Sequence, residues 1–145
     1  MRKALAYPLT AVYYLAFLTS LLVFHAIQWA CYYAFGNQAH KWSVNLLNAT
    51  LIGCLGLIGT KISFSNPHKL RNDKPHIIVC NHQSLYDIPP LIWYLRKIHP
   101  KFISKKELGR GIPSVSFNLR HGGSLLIDRN KPNDALVAIE DYSTV

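Results

Sequence analysis

A chain of 145 residues has room for one domain, or for one small domain joined to a membrane segment. Half of its residues are apolar and only 16% are charged, against roughly 25% in an average soluble protein. The net charge of +9 points to an anionic partner, but no run of basic residues exceeds two, which argues against nucleic acid and leaves an anionic membrane surface or a phosphate-bearing substrate.

The charge is distributed unevenly. No Asp, Glu, Lys or Arg lies between Lys3 and Lys41, or between Lys41 and Lys61, and all seven acidic residues lie at or beyond Asp73. The chain therefore divides near Lys61 into an apolar membrane-anchoring part, residues 1–60, and a more polar part, residues 61–145. Leu9 to Phe35 is long enough to cross a bilayer core, for which ~20 apolar residues suffice. Tyr7, Tyr13 and Tyr14 at one end and Trp29, Tyr32 and Tyr33 at the other match the aromatic belts of the two interfaces. By the positive-inside rule Arg2 and Lys3 are expected to keep the start of the chain in the cytoplasm, with Lys41 beyond the span counting against it. A cleaved signal peptide fits poorly, because the apolar region is too long and no small-x-small cleavage site follows it. His25 and Gln28 interrupt the stretch and are expected to face a neighbouring helix or the interface.

Trp42 to Gly59 is also apolar but shorter, with Asn45, Asn48 and Thr50 near its start. It reads as a re-entrant or interfacial second arm, so the front of the chain is expected to form a helical hairpin. Gly53, Gly56 and Gly59 recur every third residue, which suits close helix packing and not a dinucleotide fingerprint. Cys31, Cys54 and Cys80 show no metal spacing and read as reduced, buried packing residues.

Beyond Lys61 the period changes. Lys61 to Ser65 alternates polar and apolar as a half-buried strand does, with Asn66, Pro67 and His68 ending it. His76 to Cys80 is a β-branched run suited to an interior strand. A polar loop from Asn81 to Asp87 follows, then a helix with Pro89 and Pro90 in its first turn and Leu91, Leu95 and Ile98 on one face. Lys101 to Ser104 and Ser124 to Ile127 are further strands, and Asn133 or Asp134 caps a last helix carrying Leu136 and Ile139 on one side. Alternating strands and helices imply an α/β layer with a mainly parallel sheet, whose sites lie beyond the carboxyl ends of strands.

Two polar clusters fall at such ends. In the first, His82 and Asp87 are close enough in one loop for the carboxylate to orient the imidazole and leave its other nitrogen free as a base. The same Asp87 also reads as a plain helix N-cap, and Ser84 lacks a nucleophile elbow around it. In the second, Arg129 could clamp an anion through its planar fork, or pair with Asp128. His76, His82 and Asp87 have no metal-ligand spacing, so no metal is expected.

The block Asn81-His82-Gln83-Ser84-Leu85-Tyr86-Asp87 resembles the N-H-x-x-x-x-D block of the glycerolipid acyltransferases, the family that includes the 1-acylglycerol-3-phosphate acyltransferases. Gly123 to Arg129 resembles that family's second block, in the same order and roughly forty residues further on. Lys105-Lys106-Glu107-Leu108 between them is also similar. The resemblance implies that His82 is the general base on the free hydroxyl of lysophosphatidate, that Asp87 orients it, and that Arg129 holds the acceptor's phosphate. Asn81, Lys105 and Gly123 would be supporting positions. The donor would be acyl-CoA or acyl carrier protein, with no separate cofactor, and the product phosphatidate. The family's third block, with Pro-Glu-Gly, and its proline-containing fourth block have no counterpart in the chain, so the α/β part is expected to be an incomplete acyltransferase domain. The alternative expectation is therefore a truncated, inactive, membrane-bound remnant that binds lipid or phosphate.

Overall fold

The computed structural model describes residues 2–65, 70 and 73–143. It has the expected α/β character, with a long helical front and a small parallel sheet. Helix α1 runs Arg2–Leu57 and is broken once, at Gly36, where φ is 78° and ψ is −169°. That backbone conformation is essentially restricted to glycine. The break turns one helix into two arms, 2–35 and 37–57. The rest of the chain supplies α2 (Ile88–Tyr94), β1 (Ile103–Lys105), α3 (Val115–His121), β2 (Leu125–Ile127) and α4 (Pro132–Ser143).

Contacts divide the chain into two compact units, Met1–Phe17 with Asn48–Pro100, and Leu18–Leu47 with Lys101–Val145. The arms meet inside each unit. In the first, Tyr13 is buried with Cys54 and Leu55. In the second, the rings of Tyr32 and His40 lie 5.6 Å apart. The expected hairpin is therefore present.

Apolar side chains lie on its outside as well as its inside, where Leu21, Leu47, Leu51 and Leu55 are buried. Gln28, Ser43 and Asn48 are buried, and so is His40, whereas Tyr7, Leu15, Phe35 and Trp42 are each more than 60% exposed. A helix with apolar residues on all sides is found in a large core or in lipid. Among the described residues, α1 is the one helix long and apolar enough to cross a membrane. His25 and Gln28 face protein, as expected: Gln28 is fully buried, and His25 Nδ1 accepts a hydrogen bond from the Ser114 N–H at 3.1 Å.

In the second unit α3 rests on the arms through Phe117, which is buried among the rings of His25, Tyr32, His40 and His121. Ser116 Oγ donates to the Leu108 carbonyl and accepts from the Ile112 N–H, tying α3 to the 3-10 turn Lys106–Gly109. Strands β1 and β2 pair in parallel, Ile103 with Leu125 and Lys105 with Ile127. Both lie within a residue or two of their expected positions.

Several expectations are corrected. Lys61 to Ser65 joins no ladder, although its alternation is real. Ile62 packs on the Tyr13 cluster, and Phe64 stacks on Tyr94 with ring centroids 4.8 Å apart, so side-chain contacts hold the segment. Asn66, Pro67 and His68 lie outside the described residues. His76 to Cys80 is not an interior strand: Ile77 is 96% and Val79 90% exposed, and no described strand pairs with it. Cys80 is consequently exposed, not buried; Cys31 is half-buried, and only Cys54 is a core residue. Helix α2 ends at Tyr94 and buries Pro89 and Ile92; of the face expected, Leu95 is buried just past its end, and Leu91 and Ile98 are half-buried. Helix α4 begins at Pro132, ahead of Asn133, because proline's fixed φ suits a first helical position. Leu136 is exposed on it.

The reversal at Gly36 can be tested directly. A Cβ there would meet no atom within 4 Å, so Gly36→Ala probes backbone strain alone and is expected to destabilise the hairpin by about 1–3 kcal/mol. Gly53, equally open but inside regular helix, should accept alanine with a gain of up to about 1 kcal/mol. Thermal melts of both variants in detergent check the contrast.

Candidate active site

The first unit carries the loop Asn81 to Asp87, and its order comes from its own sequence. Ser84 caps the 3-10 turn Leu85–Asp87, its Oγ accepting from the Tyr86 N–H at 3.3 Å. Asp87 closes the capping box by accepting the Ser84 N–H at 2.9 Å. The same oxygen, Oδ2, also accepts the Gln83 N–H at 3.0 Å and lies 3.2 Å from His82 Nδ1. Asp87 is thus no side-chain N-cap of α2; its carboxylate is turned back into the loop. Both side chains of the His82–Asp87 pair remain about two-fifths exposed.

This arrangement fixes the imidazole's tautomer. With Nδ1–H donated to the carboxylate, Nε2 carries the free lone pair and can accept a proton. The Ser84 and Gln83 amides, followed by His82, hold the Asp87 carboxyl below the usual carboxylate range. Asp87 is therefore ionised throughout the neutral range.

The aromatic neighbour Tyr86 locates the loop. Its ring lies 6.0 Å from that of Tyr13 and 6.3 Å from that of Phe17, both in edge-to-face geometry. Neither this clasp nor the capping box was read from the sequence. The Ser-x-x-Asp spacing at Ser84 and Asp87 was the available signal for the box. The clasp had none, since Tyr13 and Tyr86 are far apart in the chain. Asn81 is exposed beside the pair.

In the second unit the carboxyl ends of β1 and β2 lie side by side, carrying Lys105 and the pair Asp128-Arg129. Asp128 does not pair with Arg129: its Oδ1 accepts the Asn130 N–H at 3.0 Å and shapes the turn. Arg129 is exposed. Gly123 opens the second block with φ at 77°, a conformation that favours glycine. Among the described residues no group of three His, Cys, Asp or Glu side chains is placed to hold a metal ion.

A family model described as acyltransferase matches residues 61–145, more than half of the chain, and marks it as a transferase of the acyl kind. The chain belongs to that acyltransferase family. Neither a search of curated proteins nor one of solved structures gave a match.

The pH dependence of the loop follows from Asp87. Because its native pKa is depressed, the carboxylate's contribution is fully present above the ordinary carboxylate range and is lost as pH falls through the lower native value. A carboxyl-carbon NMR titration should find Asp87 titrating below the ordinary aspartate range. His82→Ala should leave most of that depression in place, since the two amides contribute first. A return to the ordinary range in His82→Ala would show that the imidazole, not the backbone, holds the charge.

Proposed function

We propose that the chain transfers a fatty acyl group from a thioester, acyl-CoA or acyl carrier protein, to the free hydroxyl of 1-acylglycerol-3-phosphate, making phosphatidate for phospholipid synthesis. The observation that carries this reading is the 3.2 Å His82–Asp87 pair inside a loop that orders itself. His82 Nε2 takes the proton of the acceptor hydroxyl as its oxygen attacks the thioester carbonyl. The new C–O bond forms, the C–S bond breaks, and the thiolate leaves with the proton that His82 had accepted. No covalent enzyme intermediate is required, because the substrate oxygen stands where a serine protease places its own serine. Arg129, exposed at a strand end, would hold the acceptor's phosphate in a two-pronged contact, with Lys105 adding positive potential. Asn81 and Gly123 support the two loops.

The membrane is the natural setting for such a substrate. The apolar exterior of α1 supports embedding in lipid, with the dyad loop on the cytoplasmic side by the position of Arg2 and Lys3. His82→Ala is expected to lower kcat for lysophosphatidate by about 100- to 10,000-fold, the usual reach of a general base. Arg129→Ala should act mainly on KM for the acceptor, raising it by about 10- to 100-fold for the loss of a charge-assisted contact. Normal turnover by His82→Ala would remove the dyad from the mechanism.

One observation favours a second reading, a membrane-bound chain that binds lipid or phosphate without turnover. The run leading into the dyad loop, Ile77 to Val79, is exposed and pairs with no strand among the described residues, so none of the described sheet stiffens the loop from that side. On this reading the purified chain retains anionic lipid but releases no free thiol from acyl-CoA.

A further inference from the structure

The second unit gathers basic side chains at the amino ends of its two strands, opposite the ends that carry Lys105 and Arg129. His40 and His121 flank one aromatic pair. The Tyr32 ring lies 5.6 Å from His40 and 4.8 Å from His121, and the Phe117 ring 5.5 Å and 4.3 Å from the same two. Lys101, two residues before β1, donates its ammonium to the Gly122 carbonyl, next in sequence to His121. Lys41 follows His40 on the second arm of the hairpin. It also reaches Lys101 electrostatically: the Lys101 ammonium is held below the usual lysine range, by burial first and by the charge of Lys41 second.

The two lysines, one on the second arm of the hairpin and one just before β1, raise the local positive potential, at a free-energy cost that an anion between them offsets. A second observation points the same way. His40 is 3% exposed, and its Nε2 has no hydrogen-bond partner among the described residues. A buried ring nitrogen without a partner is destabilising unless something completes it.

We infer that His40, Lys41, Lys101 and His121 form a second anion site, separate from the Arg129 strand end, that takes a phosphate group. A lipid headgroup is the source that the surroundings favour. Trp42, next to Lys41, is 64% exposed, and Phe35 at the hairpin's turn is 77% exposed. Exposed aromatic rings beside lysines are the composition of a segment seated at headgroup level. The site would hold the turn of the hairpin at the membrane surface, and it does not depend on the acyl-transfer reading.

The test uses the full chain in neutral detergent, with the imidazole NMR signals of His40 and His121 as reporters. Short-chain phosphatidylglycerol should shift both signals saturably, and phosphatidylcholine should not. Lys41→Gln should weaken the binding about fivefold and Lys101→Gln by about as much again, the usual contribution of one lysine at an anionic surface. Arg129→Ala should leave it unchanged. Inorganic phosphate producing the same shifts at the same concentration would support the anion site and assign its source to soluble phosphate. The inference is overturned if neither phosphate compound moves the signals, or if Lys41→Gln, a substitution on a half-buried helix position, binds as well as the unaltered chain. Equal weakening by Arg129→Ala would also overturn it, by merging the site with the other strand end. Loss or retention of turnover in His82→Ala bears on neither result.

Discussion

Everything downstream in this chain is hung on a pair of helices whose outer surface water cannot solvate. The arms of α1 carry apolar side chains on both their inner and outer sides, and protein covers only part of them. In the second unit Phe117 sits among rings contributed by both arms, and through α3 it carries the turn that leads to β2. In the first unit Tyr13 and Phe17 receive Tyr86. The helices are therefore not a detachable leader. They supply part of the packing surface on which each unit's chemistry-bearing segment rests, and the sheet of two short strands is too small to supply it alone.

Each unit carries its own candidate residues. The first holds an imidazole and a carboxylate, fixed at short range. The second contributes positive charge at strand ends, fixed by register: Lys105 opposite Ile127 brings the basic end of one strand beside the turn that carries Arg129. Asp128 does not neutralise that arginine, because its carboxylate is engaged with the Asn130 amide. The two contributions differ in kind, one a matter of protonation and the other of potential.

The sequence was informative wherever a local rule operated and misleading where the outcome depended on distant partners. The hairpin followed from charge depletion over sixty residues, and its turn fell at a glycine as a sharp reversal requires. The strands at 103 and 125 were legible because helical segments and turns bracket them. The dyad was legible as a spacing, and the Ser-x-x-Asp box that orients it was present but unread. Ile77, Ile78 and Val79 have the composition of an interior strand, yet a strand exists only where a neighbour accepts its ladder, and composition says nothing about the neighbour. Of the alternating pair, Ile62 is half-buried on the Tyr13 cluster while Phe64 stays exposed and stacks on Tyr94, so what they meet is a helix and a tyrosine, not a sheet.

The closure of the Asp87 carboxylate onto its own loop has a consequence for heredity. All three of its hydrogen-bond partners lie within five residues, so no long-range contact needs to form before the imidazole is aimed. A geometry stored over seven consecutive residues travels with that stretch of gene. It can survive rearrangement, loss or replacement of the strands around it, which makes the loop a durable signature of descent and a portable piece for grafting onto other scaffolds.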